Sequence, residues 1–142
     1  MALNNPREAS IRTRDSDPDS RVGLALPIRS SRLGFFKTTN TLLEQSKYNL
    51  QNLLLTMRGE RVSQPEFGSD LYNVLFENND NETVGKLRDA IRRDVAQWLP
   101  YVVIKNIGVD FNNNTVNISL SFSVKTDPNV FETITLNLQR TE

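Results

Sequence analysis

Between Val116 and Val124 every second residue is apolar. Val116, Ile118, Leu120, Phe122 and Val124 alternate without exception with Asn117, Ser119, Ser121 and Ser123. Successive side chains of a strand point to opposite faces, so this period demands a strand with one buried and one wet face. Such a strand needs neighbours to satisfy its backbone and a second layer to cover its apolar side. The same alternation returns where Ile134, Leu136 and Leu138 sit among Thr133, Thr135, Asn137 and Gln139, after a turn expected at Thr126-Asp127-Pro128-Asn129. Upstream, Val102, Val103, Ile104, Ile107, Val109 and Phe111 form a β-branched-rich stretch that ends at the turn residues Asn112-Asn113-Asn114. Three consecutive antiparallel strands are expected.

The covering layer is also legible. Thr38-Thr39-Asn40-Thr41 supplies capping side chains for a helix that starts near Asn40 or Thr41 and runs to about Met57, with Leu43, Leu50, Leu54 and Met57 on one stripe. Gly59 is expected to end it. Ser69 and Asp70 offer caps for a short helix burying Leu71, Val74, Leu75 and Phe76, which Asn78-Asn79-Asp80-Asn81 interrupts. A second long helix is expected from about Glu82 to Trp98, with Val84, Leu87, Ile91, Val95 and Trp98 on its apolar stripe, before Pro100 stops it. The fold class is therefore α+β: a small antiparallel three-stranded sheet packed by two longer helices and one short one. Structure is expected to begin at Val22, in a short apolar run reaching Ile28, giving a domain over residues 22–142. Residues 1–21 hold few large apolar side chains and read as a flexible arm, with Arg7, Arg12, Arg14 and Arg21 able to pair with a neighbouring chain.

The chain has no cysteine and no histidine. This removes disulfides, thiolate metal sites and nucleophile pairs built on histidine, so no metal and no cofactor is expected. No apolar run approaches the roughly 20 residues of a membrane span, and the segment after Met1 is polar, so a soluble, unexported protein is expected. Seventeen basic and 17 acidic residues cancel. Arg88, Arg92 and Arg93 share one helix, but Asp89 and Asp94 interrupt them, and a solvated face explains them better than nucleic-acid binding.

The most specific stretch is Thr56-Met57-Arg58-Gly59-Glu60-Arg61, followed by Pro65-Glu66-Phe67-Gly68, Leu71 and the pair Leu75-Phe76. It resembles the signature of the baseplate wedge, or sheath initiator, family of contractile tails. That family is also described as lysozyme-like and also occurs in type VI secretion baseplates. The resemblance extends from Val22 to the C-terminus, with one departure: many members carry Glu-Pro-Arg where this chain has Leu99-Pro100-Tyr101, and only Pro100 is kept. Gly59, Pro65, Phe67 and Gly68 are turn and anchor residues, while Glu60, Arg61 and Glu66 are read as contacts to a neighbouring subunit.

The resemblance implies a domain like the sheath protein's own joining domain, in a subunit present in several copies in a ring-shaped baseplate. Its implied partners are the wedge core proteins and the sheath protein, with hub or tube proteins as further candidates. Its implied location is the virion tail, and the host cytoplasm during assembly. The mechanism implied is strand addition by sheath arms, expected here on an edge marked by Thr133, Thr135, Asn137 and Gln139. The competing enzyme reading is a peptidoglycan hydrolase using a pair among Glu60, Glu66 and Asp70.

Overall fold

The computed structural model describes residues 19, 21–32, 34–75, 81–112 and 114–139. Most of the expected N-terminal arm, Leu33, Phe76, residues 78–80 of the helix break and Asn113 lie outside them. The element order is β1 (Gly23–Leu24), β2 (Thr38–Thr39), α1 (Leu42–Leu55), α2 (Leu71–Leu75), α3 (Asn81–Trp98), β3 (Val102–Asn112), β4 (Thr115–Val124) and β5 (Asp127–Gln139). The fold is α+β, as the patterning demands. The leading segment carries an element the sequence reading lacked: β1 pairs antiparallel with β2.

The main sheet has the order β3-β4-β5. Its centre is the strictly alternating strand, with Val116, Ile118, Leu120, Phe122 and Val124 all buried. Strand β3 keeps one face toward the core despite an irregular sequence because Lys105 is an extra residue. Ile104 pairs with Phe122 and Asn106 with Ser121, so the bulge moves the core positions from Val102 and Ile104 to Ile107, Val109 and Phe111. The turn between β4 and β5 is tighter than expected and falls at Lys125 and Thr126. Asp127 already pairs with Val124, and the surplus residues bulge before Phe131 pairs with Ser123. Pro128 is accommodated there because an edge strand need not donate every N–H.

Helices α1 and α3 cover the apolar face. Leu50, Leu53 and Leu54 of α1 and Leu87, Ile91 and Val95 of α3 pack with Ile118, Leu120, Phe122, Ile134 and Leu136 in one cluster. Thr41 caps α1, its Oγ1 accepting from Glu44 N at 3.1 Å. Among the described residues no helix is long and apolar enough to cross a membrane.

Lys47 on α1 donates to Glu132 on β5 at 2.6 Å, tying the helix to the outer strand. That hydrogen bond raises the Lys47 pKa above its ordinary 10.5, against the lowering effect of burial. A raised ammonium pKa stabilises the fold below the unfolded value and is lost as pH climbs through the folded one. Both side chains are about a third exposed, so Lys47→Met is expected to cost ~0.2–1 kcal/mol at neutral pH. Denaturant unfolding of both proteins should show that difference vanish in strongly alkaline buffer.

Candidate functional site

The signature stretch forms a closed loop between α1 and α2. Helix α1 ends at Thr56, which takes extended backbone angles while its Oγ1 donates to Asn52 O at 2.6 Å. Gly59 is therefore not the helix cap. It lies three residues on, in a turn closed by Glu60 N donating to Met57 O at 3.1 Å, with φ +91° at the third position. The Glu60 carboxylate accepts from Met57 N at 3.0 Å. Gly59 N reaches across to Pro65 O at 2.7 Å, and Phe67 N closes a second turn onto Gln64 O at 3.0 Å. Ser69 N then donates to Thr56 O at 2.9 Å, so the two ends of the loop run side by side.

Gly68 is required at that junction. Its φ is +129°, and an added Cβ would sit 2.7 Å from Thr56 O and 2.9 Å from Met57 C. Phe67 anchors the loop by meeting Trp98 edge to face, with ring centroids 5.2 Å apart, while the Arg61 guanidinium lies 4.0 Å over the Phe67 ring. Glu60 and Arg61 thus have work within the loop. Glu66 is exposed, as is Val62.

Beneath the loop is a charge cluster that the sequence reading did not assemble. Arg58 Nη2 donates to Asp94 Oδ1 at 2.8 Å, and Arg93 Nε approaches the same oxygen at 3.3 Å. Arg93 also donates to Asp70 at 2.9 Å, with Arg58 3.5 Å from that carboxylate. Asp70 therefore spends its side chain on ion pairs rather than on capping α2. The cap is Ser69, whose Oγ accepts from Leu71 N at 3.2 Å. Asp94 is fully buried. The available signal was its place: position 94 falls on the stripe of Leu87, Ile91, Val95 and Trp98, where a lone acid requires a partner.

At the departure from the family pattern, Leu99 is buried in the core and the Tyr101 hydroxyl accepts from Asn49 Nδ2 of α1 at 2.9 Å. Pro100 is exposed at this corner. Of the carboxylates weighed for hydrolysis, Glu60 is spent on the loop and Asp70 on arginines. Among the described residues no cluster of potential metal ligands occurs.

The second predicted feature is the sheet edge. Strand β5 pairs only with β4 among the described residues. Lys125 N donates to Tyr101 O at 2.9 Å, in register with the Val102–Val124 pair. Hydrogen-bonded and non-bonded pairs alternate along an antiparallel ladder, so odd-numbered residues of β4 bond toward β3 and even-numbered ones toward β5. Ile134, Leu136 and Leu138, opposite Leu120, Ile118 and Val116, therefore close the β4–β5 ladder. Thr133, Thr135, Asn137 and Gln139 direct their N–H and C=O outward, and their side chains are exposed.

Comparison with known proteins decides the family. The model of the family described as baseplate wedge protein gp25 matches residues 41–129. The chain belongs to the baseplate wedge protein gp25 family. The baseplate wedge protein gp25 of Enterobacteria phage T4 is 31% identical over 126 residues, covering 87% of this chain and 89% of that protein. The fold recurs in the baseplate of the anti-feeding prophage, with a TM-score of 0.57, 17% identity and coverage of 84% and 85% of the two chains. It recurs in the post-contraction baseplate of pyocin R2, with a TM-score of 0.54, 21% identity and coverage of 68% and 97%. A Geobacter sulfurreducens protein provisionally named a tail lysozyme gives a TM-score of 0.59 at 19% identity, covering 66% of this chain and 86% of that one. At such identities these structures share the fold, and family membership rests on the sequence matches.

Proposed function

We propose that the chain is a structural, non-hydrolytic baseplate subunit that binds wedge core proteins and templates the first ring of tail sheath by strand addition along β5. The observation that carries this reading is the edge itself. Residues 133–139 contain no charge and no proline, the devices that normally protect an edge from pairing, and four of them aim their backbone groups outward. An arriving sheath arm would satisfy those groups by β-augmentation. Glu60, Arg61, Glu66 and Pro100 border the surface toward the wedge core, while residues 22–142 form the baseplate domain. The subunit would work in several copies in the tail of the virion, after assembly in the host cytoplasm, with hub or tube proteins as further neighbours. A hydrolytic role fits less well, because Glu60 and Asp70 are held in loop and ion-pair contacts.

Substitution of the edge tests the proposal. Thr135→Pro removes an outward donor and leaves the β4–β5 ladder intact, whereas Leu136→Pro breaks that ladder. Baseplates containing Thr135→Pro are expected to form while sheath polymerisation fails, and Leu136→Pro is expected to unfold the sheet. Normal sheath growth from baseplates carrying folded Thr135→Pro would rule out addition at this edge.

A further inference from the structure

Residues 21–32 and 34–40 fold back on one another ahead of α1 and lie outside the stretch that the family model matches. Val22 N donates to Thr39 O at 2.8 Å, Ala25 N to Lys37 O at 3.0 Å, and Lys37 N to Arg29 O at 2.8 Å, giving a defined hairpin. Ala25 is buried, but several of the hairpin's larger apolar side chains stay wet. Phe35 is 92% exposed, Ile28 60% and Phe36 53%. Two consecutive aromatic side chains, one almost wholly and one about half exposed, are unusual on a surface that meets only water.

The charge of this segment is one-sided although the whole chain is neutral. Arg21, Arg29, Arg32 and Lys37 stand against Asp19, the one acid among the described residues before Glu44. None of the four cations forms an ion pair among the described residues. Two hollows flank Lys37. One, of about 320 Å³, is lined by Arg21, Lys37 and Phe36, with the acid Asp19 also on its wall. The other, of about 250 Å³, is lined by Arg29 and Lys37 with Leu26 and Pro27, and by Lys47, which is already paired with Glu132. Arg29 and Lys37 thus meet at one concave site, with the exposed Phe35 and Phe36 directly before Lys37 in the chain, an arrangement suited to discrete carboxylates rather than a broad sheet of headgroups.

We propose that this hairpin docks an acidic, amphipathic segment of a different protein, with a carboxylate entering the hollow at Arg29 and Lys37 and apolar side chains covering Phe35 and Phe36. The inference goes beyond the sheath-templating reading and uses the opposite end of the chain from β5.

The test uses the purified full chain and a synthetic peptide bearing Glu on one helical face and Leu on the other, with a Lys-for-Glu counterpart as control. The Glu peptide is expected to bind, more weakly as salt rises, and the Lys peptide is not. Affinity should fall about tenfold or more in Arg29→Glu with Lys37→Glu, and again in Phe35→Ser with Phe36→Ser, because both charge pairing and apolar anchoring are removed. Unchanged melting temperatures of these surface variants would show that the fold survives. The proposal is overturned if the Glu peptide does not bind, if both peptides bind alike, or if the variants bind like the parent. It is equally overturned if phosphatidylserine vesicles or duplex DNA bind more tightly than the peptide, or if Phe35→Ser abolishes a homodimer. Because the titration needs no tail particle, failure of the sheath-growth experiment leaves this result standing, and the reverse also holds.

Discussion

Gly68→Ala is expected to destabilise the protein by ~3 kcal/mol or more, combining an unfavourable φ with a clash that the backbone must absorb. The methyl would meet Thr56 O at 2.7 Å, Met57 C at 2.9 Å and Arg58 N at 3.0 Å. All three are backbone atoms at the end of α1, so no side chain can swing aside. The loop would have to separate from α1, which breaks the bond from Ser69 N to Thr56 O and lifts Phe67 from Trp98. Gly59→Ala is the informative control, since its φ is +91° but open space surrounds it. It should cost only ~1 kcal/mol. Chemical unfolding of the two variants should separate steric from conformational cost, and equal losses would show that the close approach at Gly68 is relieved cheaply.

Arg58→Ala is expected to cost ~2–3 kcal/mol, somewhat less than the loss of a wholly buried partner because the guanidinium is partly exposed. Asp94 would stay fully buried without its 2.8 Å partner. Its remaining contacts would be Arg93 at 3.3 Å and the N–H of Asp70 at 3.4 Å. Replacing both members of the pair, Arg58→Met with Asp94→Leu, should recover more than half of the loss, since an apolar pair carries no desolvation cost. Thermal unfolding of the two single variants and the double variant measures the coupling. Strictly additive losses would show that the pair does not act as a unit.

The long elements were legible because each carries a repeated physical signal. Helix α3 was expected from Glu82 to Trp98 and spans Asn81–Trp98, since its stripe repeats over several turns. The boundaries that moved depend on single residues. Gly59 looked like a helix cap because glycine tolerates positive φ in caps and turns alike, and only the bond from Glu60 N to Met57 O tells them apart. Asp70 looked like a cap for the same local reason, before Arg58 and Arg93 were known to be close by. Asp94 was read as part of a wet charged face although its position along the helix is an inward one.

By itself the sequence determined what periodicity and steric demand can encode: two alternating strands and a third rich in β-branched residues, two one-faced helices, and a glycine at position 68. It also carried the family signature at residues 56–71 without stating what those residues touch. Three consecutive antiparallel strands were expected, and the tertiary structure decided the register that turns the backbone groups of Thr133, Thr135, Asn137 and Gln139 away from β4, with no further strand beside them among the described residues. It alone brought Arg58 and Asp94 together across 36 positions of chain. Alternation along a strand specifies which face is buried but carries no information about its neighbours, and a charge specifies that a partner is needed but not where along the chain it lies. Those choices are made when the whole apolar surface is buried at once.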